Sequence, residues 1–329
     1  MGTNIGDVML DARNGSGGSM LHCRLRRSGP GMAILLWVSL CLAASLNAQE
    51  LQPRAYFPAP VGVSFFGTSY SRNSGGLLFD PSLPVTDAHV AANMGSLSFG
   101  QSLGVLGRSA QVLVILPYIQ ADLTGRLSES ASYRYRSGLG DAVFRFAMNI
   151  HGAPAMRRLE FARYRQKTIV GASITVSAPT GQYDPKLVVN IGANRWGFKP
   201  EVGFSRALGQ WVIEGAAGVW LYTANGNFNN GSTRTQIPLG SLQAHFLRIL
   251  PHRTWVALDA TFFTGGRTTV DGVERANYQG NWRIGATFGL VLTPRQSLKI
   301  SYFDGVITRV GNDISSFGIA YNYIFMKGH

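Results

Sequence analysis

Disulfide chemistry is missing from most of this chain. Its only two cysteines, Cys23 and Cys41, both lie ahead of residue 48. Charge is sparse too: Asp, Glu, Lys and Arg make up 14% of the residues, against about 25% in a typical soluble domain. Downstream of residue 48 no apolar run approaches the roughly 20 residues that a membrane-spanning helix needs. The six histidines (His22, His89, His151, His245, His252, His329) have no metal-ligand spacing, so no metal or cofactor is expected. Ser241 and His245 share a strand face, but four residues along a strand separate them by roughly 13 Å. That is too far for proton transfer, so no catalytic residue is assigned and an enzyme is not expected. Basic residues exceed acidic ones by 13, yet they are scattered, without the basic stripe and stacking aromatics of a nucleic-acid binder.

The N-terminus has the parts of an export signal. Arg24, Arg26 and Arg27 precede the apolar run 32–44, and a small-residue stretch, 45–48, follows. A basic segment, a short apolar core and small residues at the cut describe a secretory signal peptide, with cleavage expected after Ala48. Residues 1–19 read as an over-extended start, since Met20 or Met32 would open a better signal. The expected division is therefore 1–48 as extension and signal peptide, and 49–329 as one exported domain without cysteine. Export without transmembrane helices leaves a closed β-barrel as the structure able to sit in a membrane.

What the exported part does contain is glycine, aromatics and period-two alternation. Glycine occurs 40 times in 329 residues, against an average of about 7%. In the last strand-like stretch, 316–325, Phe317, Ile319, Tyr321, Tyr323 and Phe325 fall on one face. Ser316, Gly318, Ala320, Asn322 and Ile324 fall on the other. This suits the closing strand of a transmembrane barrel, with one face on lipid and the other on a polar lumen.

Twelve such segments are predicted: 61–70, 89–103, 109–120, 140–150, 167–178, 194–207, 211–224, 237–250, 254–264, 281–292, 297–307 and 314–325. Long polar connections, such as 71–88 and 121–137, alternate with short turns, as in outer-membrane barrels. The connection 151–166 is long where a short turn is expected. Residues 49–58 read as a lead-in outside the barrel.

The expected fold is thus all-β, a transmembrane antiparallel up-and-down barrel of about twelve strands. Alternation sends Phe144, Ile174, Ile284, Phe288, Ile300 and Tyr321 to lipid. It sends Asp141, Arg145, Glu214, Asp259, Arg283 and Lys299 to the lumen, with Thr175 beside them. Trp196, Trp211, Trp220, Trp255 and Trp282 are expected in the interfacial girdles. Leu77, Leu78, Phe79 and Tyr133 are expected to fold over the mouth.

Three motifs carry a resemblance: Gly138, Gly140 and Asp141; Pro179, Thr180 and Gly181; and Asn190, Gly192, Asn194 and Trp196. Here the chain resembles the outer-membrane transporter family of the MetA pathway of phenol degradation. The resemblance spans most of the exported part and implies a barrel that handles small hydrophobic or aromatic solutes. Expected partners are outer-membrane lipid, those solutes, and the barrel-assembly machinery through the final strand. The sequence assigns no oligomeric state. The competing reading is a structural or surface-interaction barrel with a plugged lumen.

Overall fold

In the computed structural model, residues 53–78, 85–127, 130–187, 189–308 and 311–325 are described. The expected signal peptide and its cut lie outside them. In chain order the strands are β1 (Ser64–Leu78), β2 (Val85–Val105), β3 (Arg108–Leu127), β4 (Ser130–Leu139), β5 (Ala142–His151) and β6 (Thr168–Ala178). They continue with β7 (Gly197–Leu208), β8 (Trp211–Tyr222), β9 (Asn225–Phe228), β10 (Ser232–Gln236), β11 (Leu239–Ile249) and β12 (Trp255–Gly265). The last five are β13 (Thr268–Val270), β14 (Val273–Glu274), β15 (Gln279–Thr293), β16 (Gln296–Ile307) and β17 (Gly311–Phe325). One short helix, α1 (Arg158–Arg163), lies between β5 and β6.

Every neighbour in the main sheet is antiparallel, and β1 pairs with both β2 and β17, which closes the barrel. β4 and β5 count as one wall strand, giving twelve. Both lie on β3, and the partner changes between Ile115↔Val143 and Tyr118↔Leu139. Pro117 sits at that change. It has no N–H to offer a ladder, and its carbonyl accepts from Gly140 N at 2.9 Å. The proline thus fixes where the wall strand breaks. β9, β10, β13 and β14 form a separate small sheet above the loop end.

The two faces separate as the alternation requires. Phe144, Ile174, Ile284 and Phe288 are exposed, Ile284 by 50%. Ile300 and Tyr321 are half-buried on the same outward parity. Asp259, on the other parity, is 2% exposed. Apolar side chains stand outside and buried polar ones inside, the reverse of a soluble domain and the arrangement of a barrel in lipid.

Four expectations need correction. The stretches 71–88 and 121–137 are not mainly loops: β1 to β4 continue through most of them, because Ser, Gly and Tyr side chains there do not prevent ladder pairing. At about 3.3 Å per residue, β2 and β3, with 21 and 20 residues, outrun the hydrocarbon layer. Tyr133 does not cover the mouth; it is exposed and bonds Asp122 on the neighbouring strand. The side chains of Leu77, Leu78 and Phe79 fall outside the described residues. Trp220 and Trp255 are buried on the lumen side, at 5% and 9% exposure, and belong to no girdle. Trp196, Trp211 and Trp282 are exposed. Finally, the segment from residue 53 to 63 is no external lead-in: it enters the lumen from the turn end.

Candidate functional site: the barrel lumen

At the loop end, the three motif segments meet in one clasp. The Asp141 carboxylate accepts from Gly181 N through Oδ1 and from Ala193 N through Oδ2, each at 2.9 Å. Ala142 N donates to Thr180 Oγ1 at 2.9 Å, Gln182 N to Leu139 O at 2.8 Å, and Gly192 N to Gln182 O at 2.9 Å. A Cβ on Gly181 would lie 2.8 Å from Asp141 N and from Gly192 Cα. Only glycine lets the two loop legs approach that closely.

The outer motif residues shape the loop. Asn190 caps its turn: Oδ1 accepts from Asp184 N, and Nδ2 donates to Asp184 O and Leu187 O. Asn194 Nδ2 bonds Asn225 Oδ1 at 2.9 Å, and exposed Trp196 stacks on Phe198. The clasp folds residues 179–187 and 189–196 into the mouth, where Val189 and Ile191 pack on Val90, Ile119 and Leu123.

At the turn end, the lumen is filled by Tyr56. Its hydroxyl donates to Glu201 Oε1 at 2.9 Å and lies 3.2 Å from Ser173 Oγ. Asn149 Nδ2 donates to Tyr56 O and Gln111 Nε2 to Ala55 O. The ring seats against β6 and β7 at Gly171 and Gly203, where a Cβ would come within 2.3 and 1.9 Å of it. Arg54 N donates to Glu214 Oε2 at 2.6 Å, which anchors the segment further. Outside the seat, Phe57 meets Phe161 of α1 edge-on, 6.2 Å between centroids. The long connection 151–166 is therefore the outer wall of this closure, which explains why it is not a tight turn.

Between clasp and closure the inward faces of β5 to β15 carry buried polar groups. Glu214 Oε1 accepts from Ser205 Oγ at 2.8 Å. Asp259 is held by His245 Nδ1 and Thr287 Oγ1, both at 2.6 Å. Arg283 and Lys299 are inward but half-buried; Arg283 Nη2 lies 3.4 Å from Ile314 O, and Lys299 faces Asp259. Arg145 is 9% exposed, with its guanidinium carbon 5.3 Å from the Tyr56 ring centroid.

Sequence reading named these residues without their partners, and it missed Lys199, Glu201, Arg195 and Tyr56. Lys199 Nζ sits 3.0 Å from Glu201 Oε2, both side chains buried. Arg195 Nη2 donates to Gln236 Oε1 at 2.5 Å and its guanidinium covers the Tyr222 ring at 4.2 Å. Lys199 and Glu201 were within reach: 197–205 alternates Gly, Lys, Glu, Gly, Ser against Phe, Pro, Val, Phe. Nothing local marks Tyr56.

One inward face differs from the rest. By register with β2 and β5, the lumen side of β3 is Leu113, Ile115, Pro117, Ile119, Ala121 and Leu123. This apolar track runs from the mouth patch down to Leu113, which pairs with Arg145. Such a wall can hold an apolar solute but cannot hydrogen-bond a polar one.

Comparison with known proteins agrees with this architecture. A family model described as Putative MetA-pathway of phenol degradation matches residues 70–323. Among solved structures, the chain is similar to a COG4313 outer membrane channel from Pseudomonas putida F1. Identity is 20% and the TM-score 0.73, covering 84% of this chain and 100% of that one. It is also similar to the transport unit of the autotransporter AIDA-I from Escherichia coli, at 10% identity and a TM-score of 0.51, covering 88% and 99%. No curated protein matches it. With the family model spanning most of the chain and the barrel shared with outer-membrane proteins, this chain belongs to the phenol-degradation MetA-pathway family.

Proposed function

We propose that the protein is an outer-membrane channel that admits small, largely apolar, typically aromatic solutes. The observation that carries this reading is the apolar track on the lumen side of β3. Val189 and Ile191 of the loop cover its upper end at Ile119 and Leu123, but Leu113 and Ile115 below are only half-buried. Inward apolar residues cost solvation unless something apolar covers them, at about 25 cal/mol per Å². A solute sliding along them recovers that cost, whereas a water-filled porin has no use for them. The same reading has the chain exported by a signal peptide ending near Ala48 and held in outer-membrane lipid. The assembly machinery would read its last strand, so deleting 323–325 is expected to leave the chain in the periplasm. Normal outer-membrane levels of that deletion would refute the role given to the strand.

The test is initial uptake of a labelled aromatic hydrocarbon at micromolar concentration by cells with and without the protein. Uptake is expected to fall several-fold in its absence, and similarly in Ile115→Asp, which polarises the half-buried part of the track below the residues that pack on the loop. Equal uptake in all three would overturn the proposal. The second reading, a plugged structural barrel, is favoured by Tyr56 in its seat. It predicts that neither loss of the protein nor Tyr56→Ala changes uptake.

A further inference from the structure

The buried charges of the lumen do not balance. Each buried carboxylate has a cation beside it: Asp141 has Arg195, Glu201 has Lys199, Glu214 has Arg54, and Asp259 has His245 and Lys299. Arg145 has none among the described residues. Its Nε and Nη2 are buried without any hydrogen-bond acceptor. The contact it does make is with the Tyr56 ring. A desolvated guanidinium with two of its three nitrogens unmet is unfavourable, and a fold gains nothing from keeping it there.

Its position suggests what would complete it. Arg145 shares a ladder row with Leu113 on one side and Thr175 on the other, and Lys199 follows Thr175. Leu113 is the inner end of the apolar track. The track therefore runs from the mouth and stops at an unpaired cation, directly on the loop side of the Tyr56 seat. An apolar body lying on the half-buried Leu113 and Ile115 would bring a terminal anionic group to Arg145. The guanidinium fork matches a carboxylate bidentately.

We propose that the lumen binds amphipathic monocarboxylates, an apolar body with one ionised carboxylate, and that Arg145 is the residue that receives the carboxylate. Binding trades the cation–π contact with Tyr56 for a charge-assisted pair, which loosens the Tyr56 closure from above. This rests on the channel reading for its purpose but not for its test. Equilibrium binding is measured on the full chain in detergent, with uptake kept as the separate assay described above.

The probes are benzoate and benzyl alcohol, alike in size and different in charge, titrated by calorimetry. Benzoate is expected to bind at least tenfold more tightly than benzyl alcohol. Arg145→Gln is expected to abolish that preference, and Arg145→Lys to restore part of it. Folding of each variant is checked by its heat-modifiable mobility. Equal affinity of the two probes for the unaltered chain would overturn the proposal, even if both variants fail to fold. So would a benzoate preference that survives Arg145→Gln. Carboxylate binding without uptake would instead sink the channel reading and leave this site standing.

Discussion

Two halves of the barrel wall are built on different principles. From β5 to β15 the inward face carries charged and amide side chains at 9% exposure or less, in partnered sets: Ser205 with Glu214, Lys199 with Glu201, Asp259 with His245 and Thr287. From β16 through β17 to β1 the inward face is mostly Ser, Gly, Ala and Asn, and no polar residue there is buried among the described ones. Ser301, Ala320, Asn322 and Ser71 are half-buried, so water reaches their lumen side. The first half is dry and laced by buried side-chain bonds along the wall. The second relies mainly on its ladder, with a few half-buried side-chain bonds such as Ser69 with Ser96 and Ser315 with Asp304. The two differ as a packed core differs from a lined corridor, and the apolar track of β3 lies near their border.

The sharpest way to break this comparison is to put the same charge on both halves. Ser241, on β11, is 2% exposed; Ser241→Lys buries an unpaired ammonium and is expected to cost roughly 4–5 kcal/mol. Ser301→Lys on β16 keeps its charge wet and is expected to stay within about 0.5 kcal/mol. Urea unfolding followed by tryptophan fluorescence measures both, and equal costs would erase the distinction.

Next in size is Asp141→Ala. It frees two backbone amides at the loop clasp and is expected to destabilise by roughly 3 kcal/mol. Limited proteolysis should then cut within 179–196, where the unaltered loop resists.

Ser205→Ala tests the dry half more gently. It removes the donor to Glu214 and the acceptor of Gln166 Nε2, for an expected loss of about 1–2 kcal/mol. Ser71→Ala on the wet half is the matched control, expected to be near neutral.

The smallest effect is in the loop sheet, outside both halves. Thr233 N donates to Asp271 Oδ1 at 2.7 Å, which holds that exposed carboxyl below its ordinary range. A depressed folded value means that the clasp is fully present above the unfolded value of about 3.9. It is lost as pH falls through the lower folded value. Amide exchange at Thr233 should therefore stay slow from pH 7 to 5 and quicken only in stronger acid.

Much of this was legible in the chain. Alternation around Phe144 and Arg145, or Ile284 and Arg283, fixes faces residue by residue, because strand geometry has no other period. The wall strands and their order follow from that. What stayed hidden depends on contacts between distant segments. Gly171 and Gly203 are ordinary glycines until Tyr56 arrives between them, from more than 100 residues upstream. Asp141 is one inward carboxylate until the loop legs at Gly181 and Ala193 close on it. The 71–88 and 121–137 stretches read as loops because composition reports turn-formers, whereas hairpin extension depends on pairing partners that composition does not name.

The seam between β1 and β17 has a kinetic consequence. Ser64 pairs with Phe325, so the contact that closes the cylinder joins residues roughly 260 positions apart. Closing a free chain over that span costs on the order of 5 kcal/mol in entropy before any seam hydrogen bond forms. Every other wall pairing joins strands that follow one another, and can form locally as a hairpin. The open sheet is then a waiting state with two unmatched edges, each a template for another chain. Its lifetime ends only when the last strand arrives. A cell that makes this protein must shelter those edges until then, and the slow step of maturation is the meeting of the first strand with the last.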